Sequence, residues 1–444
     1  MIRRREFLAR AAAAGALLGM PWAQTQRVLE VDAPRLPPAD LQATDPARYW
    51  AELRRQWLLA PDHINLNCGS VGCTPLPVLR AMIEHVLSAE EYREPEYPWF
   101  GYEEDARLKE VRTSMAAFLH VDRDELALVR NATEANNVVA NGLDLKPGDE
   151  VLLTDQEHPG GLCPWQQKAQ RYGVKLNMVA LPKPPASTEE IVERFEKALT
   201  PKTQIIVFSH ITTMTGVVLP AKEICAMARK RGVLTHVDGA HAIGQIPLNL
   251  GDIGCDFYGS SPHKWLMAPK GTGTLYIRKE NLDRLWVNIA TANWNNKELK
   301  AYRFSWFGTS NLSVMVGLKA ALDFYATLGP EKIYARAHEL AGQVRGRVAS
   351  YPQLKIVNAS RDQFYGGMVC FEPVIAPAPA AAVTTAPATG VPTPQGLKKV
   401  AEECAKRQIR IAGGEQRMRI STHIFTQPTE LNAFYDALDA GMHS

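Results

Sequence analysis

From about residue 75 the chain alternates short apolar runs with amphipathic helical stretches, an order that few folds accommodate. The apolar runs are ELALV (125–129), EVLLT (150–154), QIIVFS (204–209), VLTHV (233–237), DFYGS (256–260) and GTLYIR (273–278). Between them lie the helical stretches TEANNVVANGL, STEEIVERFEKAL and AKEICAMARKRG, the last closed by Gly232. Strands joined through helices run parallel, and helices then cover both sheet faces, so such strands are apolar throughout. The expectation is an α/β fold with a largely parallel sheet, whose ligands bind at the carboxyl ends of the strands.

At 444 residues the chain exceeds one usual core. After about 315 the pattern changes. Two helical stretches, SVMVGLKAALDFYATLG and EKIYARAHELAGQVRGRVASY, precede a strand-like GGMVCFEP. A small α+β C-terminal domain is therefore expected over 315–444. A Pro-, Ala- and Thr-rich stretch at 373–396 reads as a flexible loop within it. Residues 24–74 read as an N-terminal segment joining the small domain.

Residues 1–23 read as a leader. Arg4 and Arg5 precede Phe7 and Leu8, and an Ala/Leu/Gly run too short to span a bilayer follows. This looks like a twin-arginine signal, which implies a periplasmic or secreted protein loaded with any cofactor beforehand. The leader holds Arg3, Arg4, Arg5, Arg10 and Glu6, so removing it takes the net charge of +3 to zero. A neutral mature chain gives no reason to expect nucleic acid or an anionic membrane as partner. The seven cysteines are sparse and odd in number, so they do not form a disulfide scaffold. Cys68 and Cys73 could pair or remain free.

Chemistry-bearing residues gather at the strand ends. VLTHV runs into Asp238, Gly239, Ala240 and His241; DFYGS runs into Ser261, Pro262, His263 and Lys264. EVLLT leads to Glu157 and His158, and ELALV leads to Arg130-Asn131-Ala132-Thr133 at a helix start. Singly, each has an ordinary explanation: a helix cap, a core histidine, a solvated lysine. Together they match the needs of pyridoxal phosphate (PLP). That cofactor requires a lysine for a Schiff base, a carboxylate for the pyridine nitrogen, a helix N-terminus for the phosphate and a flat side chain over the ring.

HVDGAHAIGQ followed by SSPHKW resembles the signature of the class V aminotransferase family, among the fold-type I PLP enzymes. EHPGGLCPWQ is similar to the segment carrying the ring-stacking histidine, and RNATEANN to the phosphate-binding turn. The likeness spans about residues 62 to 440. It implies a mostly parallel seven-stranded sheet in a large PLP-binding domain (75–314). It implies that Lys264 forms the Schiff base and moves the α-proton, that Asp238 pairs with the pyridinium, and that His158 stacks on the ring. His241 would reach the phenolic oxygen, which resembles the isopenicillin N epimerase branch. Ala132, Thr133, Ser261 and His263 would hold the phosphate. Thr309 would reach the phosphate of a neighbouring subunit, implying a homodimer. Arg419, with Asn67, would bind the substrate.

Two departures matter. The loop IRIAGGEQ lacks the nucleophilic Cys of cysteine desulfurases in this family, and Cys404 lies upstream in a helical stretch, which disfavours desulfurase chemistry. Thr213 in HITTMTG stands where several relatives carry Asn. The implied reaction is at the Cα of an amino acid: transamination or epimerisation, with C–S or β-elimination as the alternative. A metal-dependent hydrolase using His236, Asp238 and His241 is a rival of another class, and a non-catalytic PLP-binding protein is a third reading.

Overall fold

The computed structural model describes residues 35–91, 106–358, 362–374 and 395–443. The leader at 1–23 and residues 375–394 of the Pro/Ala-rich stretch lie outside the described residues. Among the described residues, thirteen strands follow in chain order. They are β1 (Ile64–Asn65), β2 (Leu126–Val129), β3 (Glu150–Thr154), β4 (Lys175–Val179), β5 (Thr203–Ser209), β6 (Leu234–Asp238) and β7 (Phe257–Ser260). Then come β8 (Gly273–Ile277), β9 (Leu354–Ile356), β10 (Met368–Pro373), β11 (Ile409–Arg410), β12 (Ala412–Gly413) and β13 (Met418–Ser421).

Seven strands form the main sheet in the order β2-β8-β7-β6-β5-β3-β4. β8 is antiparallel to both β2 and β7, and the other pairs are parallel. The expected mostly parallel, seven-stranded α/β sheet is thus present. Its apolar runs alternate between two cores. Ile206 and Phe208 of β5 face the core beneath helices Leu76–Glu90 and Leu312–Leu328, while Ile205 and Val207 face the core beneath Ala132–Gly142 and Pro159–Tyr172. The main-sheet strand missed in the sequence is β4. It lies at the sheet edge and is only partly buried, so it carries no apolar run to betray it.

A second, four-stranded antiparallel sheet runs β12-β13-β10-β9 and shares an apolar core with helices Pro330–Ala349, Gln395–Lys406 and Pro428–Met442. β1 pairs in parallel with β11, and the Ser421 amide donates to Leu66 O at 2.8 Å. The turn after β1 is thereby carried to the main sheet, where Gly72 N donates to His263 O at 3.0 Å. A side chain at Gly72 would strike Lys264 O at 1.9 Å, so only glycine permits this approach. No single described helix is long and apolar enough to cross a membrane.

Candidate active site

Parallel strands end at one edge of the sheet, and the turns leaving β2, β3, β5, β6 and β7 meet there. Asp238 ends β6 and is buried. Its Oδ1 accepts from the Ala240 amide at 2.9 Å, and its Oδ2 accepts from Asn136 Nδ2 at 2.8 Å. Asn136 was not singled out in the sequence. It lies one helical turn after Ala132, on the same face, and that spacing was the available signal.

Lys264 follows β7. Its Nζ lies 3.2 Å from His241 Nε2. Trp265 Nε1, which can only donate, is 3.4 Å from His241 Nδ1. The indole therefore assigns the proton to Nε2, and Nε2–H points at the lysine nitrogen, a contact that suits a neutral amine. Burial pushes Lys264 down to about 8, with Asp238 opposing and Arg419 reinforcing the shift. His241 is held well below the usual imidazole value by burial and then by the Lys264 charge.

His158 caps helix Pro159–Tyr172, its Nδ1 accepting from the Gly160 amide at 3.0 Å. Its ring is otherwise exposed, and burial of part of it followed by the Lys264 charge lowers its pKa. Across the edge, the Ala132 amide donates to Ser261 Oγ at 3.0 Å, joining the helix N-terminus to the turn after β7. The helix is capped by Asn131, a neutral side chain, and the carboxylate of Glu134 in its first turn is paired with Arg130. Thr133 Oγ1 lies beside Gly160, where a Cβ would stand only 2.6 Å away. His263 Nδ1 contacts Thr272 O at 2.9 Å, so that nitrogen carries the proton.

Arg419 on β13 reaches the same place from the second sheet. It is buried, and its Nη2 donates to Asn67 Oδ1 at 3.0 Å and to Ser70 Oγ at 2.8 Å. Its Nη1 donates to Thr213 O at 3.4 Å, while Nε has no partner. Every acceptor is neutral, so a buried cation lacks a carboxylate. Its charge is felt at Lys264, His158 and His241. Asn67 therefore orients Arg419, and Thr213 contributes its carbonyl. Thr309 stands apart: it is exposed and shares no hydrogen bond with this group among the described residues.

The metal-site rival fails on geometry. His236, Asp238 and His241 do not form a group that could hold a metal ion. Both ring nitrogens of His241 face Trp265 and Lys264, and the buried His236 ring packs edge-on against Phe257 at 6.4 Å. Cys68 and Cys73 are free thiols.

A flat ring bearing an aldehyde, a basic nitrogen and a phosphate would meet a matching partner at each corner of this edge. Fold and site together define the class of fold-type I, PLP-dependent enzymes. The family model described as Aminotransferase class-V matches residues 73–434, and the chain belongs to that family. Its cofactor is pyridoxal phosphate. The chain is 34% identical over 410 residues to isopenicillin N epimerase from Streptomyces clavuligerus, covering 88% of this chain and 98% of that protein. It is 29% identical over 310 residues to a probable cysteine desulfurase from Methanothermobacter thermautotrophicus, covering 67% and 76%. Among solved structures it resembles a C-DES mutant with glycine covalently linked to the PLP cofactor, at 24% identity and a TM-score of 0.73, covering 87% and 98%.

Proposed function

We propose that the chain epimerises an amino acid, withdrawing the Cα proton from one face and delivering a proton to the other. Bound at this edge, PLP supplies an electron sink that stabilises negative charge at the substrate's Cα. The observation that carries the reading is the buried Lys264 amine, held 3.2 Å from His241 Nε2 and brought by burial to about 8, which leaves part of it free to accept a proton near neutral pH. Asp238, fixed by Asn136 and Ala240 N, faces the ring nitrogen. His158 covers the ring, and Ala132, Thr133, Ser261 and His263 receive the phosphate. Arg419 grips the substrate carboxylate, which completes its missing ion pair. The likeness to isopenicillin N epimerase, over nearly its whole length, supports proton exchange as the outcome.

The turn from Gly413 to Arg417 carries no cysteine, and Cys404 is buried in its helix, which argues against a persulfide route. We propose further that the protein is exported by its leader and works as a homodimer in which Thr309 serves the partner's phosphate. Incubating the purified protein with amino-acid panels in D₂O tests the central reading. Deuterium uptake at Cα with inverted product and no keto acid supports it. Pyruvate or ammonia release means elimination, and keto acid formed with a 2-oxo acceptor means transamination. Full activity in Lys264→Ala would show that the lysine is not catalytic.

A further inference from the structure

Behind Asp238 lies a second carboxyl group that the proposed reaction does not use. Glu157 is buried, at 8% exposure. Its Oε2 accepts from Ser209 Oγ at 2.7 Å, and its Oε1 accepts from Thr154 Oγ1. Thr154 ends β3; Ser209 ends β5 and pairs in register with Asp238 on β6. Glu157 therefore ties the end of β3, which leads to His158, to the end of β5, which lies beside Asp238 on β6. Gly161 separates the two carboxyl groups: a Cβ there would stand 3.2 Å from Asp238 Oδ2 and 3.9 Å from Glu157 Oε2. No described lysine or arginine forms an ion pair with Glu157, and the charged group that acts on it is Asp238.

Burial pushes the Glu157 carboxyl up to about 7; the Thr154 and Ser209 hydroxyls pull the other way, and Asp238 adds to the rise. The titratable group that acts on it is Asp238; in sequence Asp155 and His158 flank it on its own connection, His210 follows its partner Ser209, and His236 precedes Asp238 on β6. Burial holds His210 and His236 at about 4, so neither changes charge near neutrality.

We propose that Glu157 is a positioning residue acting through Asp238, its charge setting how firmly Asp238 holds a proton on the cofactor's ring nitrogen. This rests on the assignment of Asp238 to that nitrogen. A negative charge behind Asp238, in a medium of low polarity, favours a cation in front of it; a neutral acid does not.

The test measures PLP affinity of the apo protein by equilibrium dialysis from pH 6 to pH 8, for wild type, Glu157→Gln and Asp238→Asn. The ratio of wild-type to Glu157→Gln affinity should rise about threefold to tenfold across that range. Infrared spectra of the apo wild type should show a protonated carboxyl band that titrates near neutrality and is missing from Glu157→Gln. Parallel pH profiles for wild type and Glu157→Gln would overturn the inference while leaving the Asp238 assignment intact. Asp238→Asn binding PLP as tightly as wild type would instead remove the assignment on which it rests. Thr154→Val deletes a hydroxyl that favours the charged form, so it should move the transition upward. An unmoved transition counts against the proposal, and decides the matter if Glu157→Gln does not fold.

Discussion

The Lys264 ammonium should titrate as an unusually strong acid for a lysine. An unperturbed lysine has a value of 10.5, whereas burial brings Lys264 to about 8. At pH 7.5 the Lys264 amine would be neutral in about one molecule in four, against about one in a thousand for an ordinary lysine, a gain of a few hundredfold in nucleophile. The sign follows from the causes: burial disfavours the ammonium, Arg419 disfavours it further, and Asp238 favours it. Competitive acetylation of the apo protein across pH 6–11, read at the Lys264 peptide by mass spectrometry, measures this directly. Reactivity should rise with a midpoint near 8. Arg419→Gln should move the midpoint up, and Asp238→Asn should move it down. A wild-type midpoint at 10 or above, or shifts of the opposite sign in the variants, would refute the reasoning.

Arg419→Lys should raise KM by about 100-fold with a smaller loss in kcat and an unchanged cofactor spectrum, because a lysine cannot supply the planar fork. Asn136→Leu removes a donor to the Asp238 carboxylate, at about 1.5–3 kcal/mol, and should weaken PLP binding roughly tenfold or more in a cofactor titration. Phe434→Ala, in the core of the second sheet and far in sequence from the cofactor motifs, should cost about 3–5 kcal/mol in denaturant unfolding.

Much of the fold was legible because a sheet covered on both faces requires mainly apolar strands, and β3, β5 and β6 lie within a residue of their expected limits, although β6 also buries Thr235, His236 and Asp238. The edge strand β4 was not, since one exposed side removes the requirement. The ordered strand-end motifs named Asp238, Lys264, His158 and the Ala132 turn because each closes a strand that sequence patterning already locates.

What only the tertiary structure decided are contacts between distant turns. Arg419 meets Asn67 and Ser70 across about 350 residues, because β1 pairs with β11 and delivers the following turn to the sheet edge. Trp265 selects the His241 tautomer, Asn136 holds Asp238, and Glu157 becomes a buried acid only when β3 and β5 close around it. Sequence spacing reports which residues share a face of one element. Distance, burial and the protonation that follows from them depend on how separate elements pack.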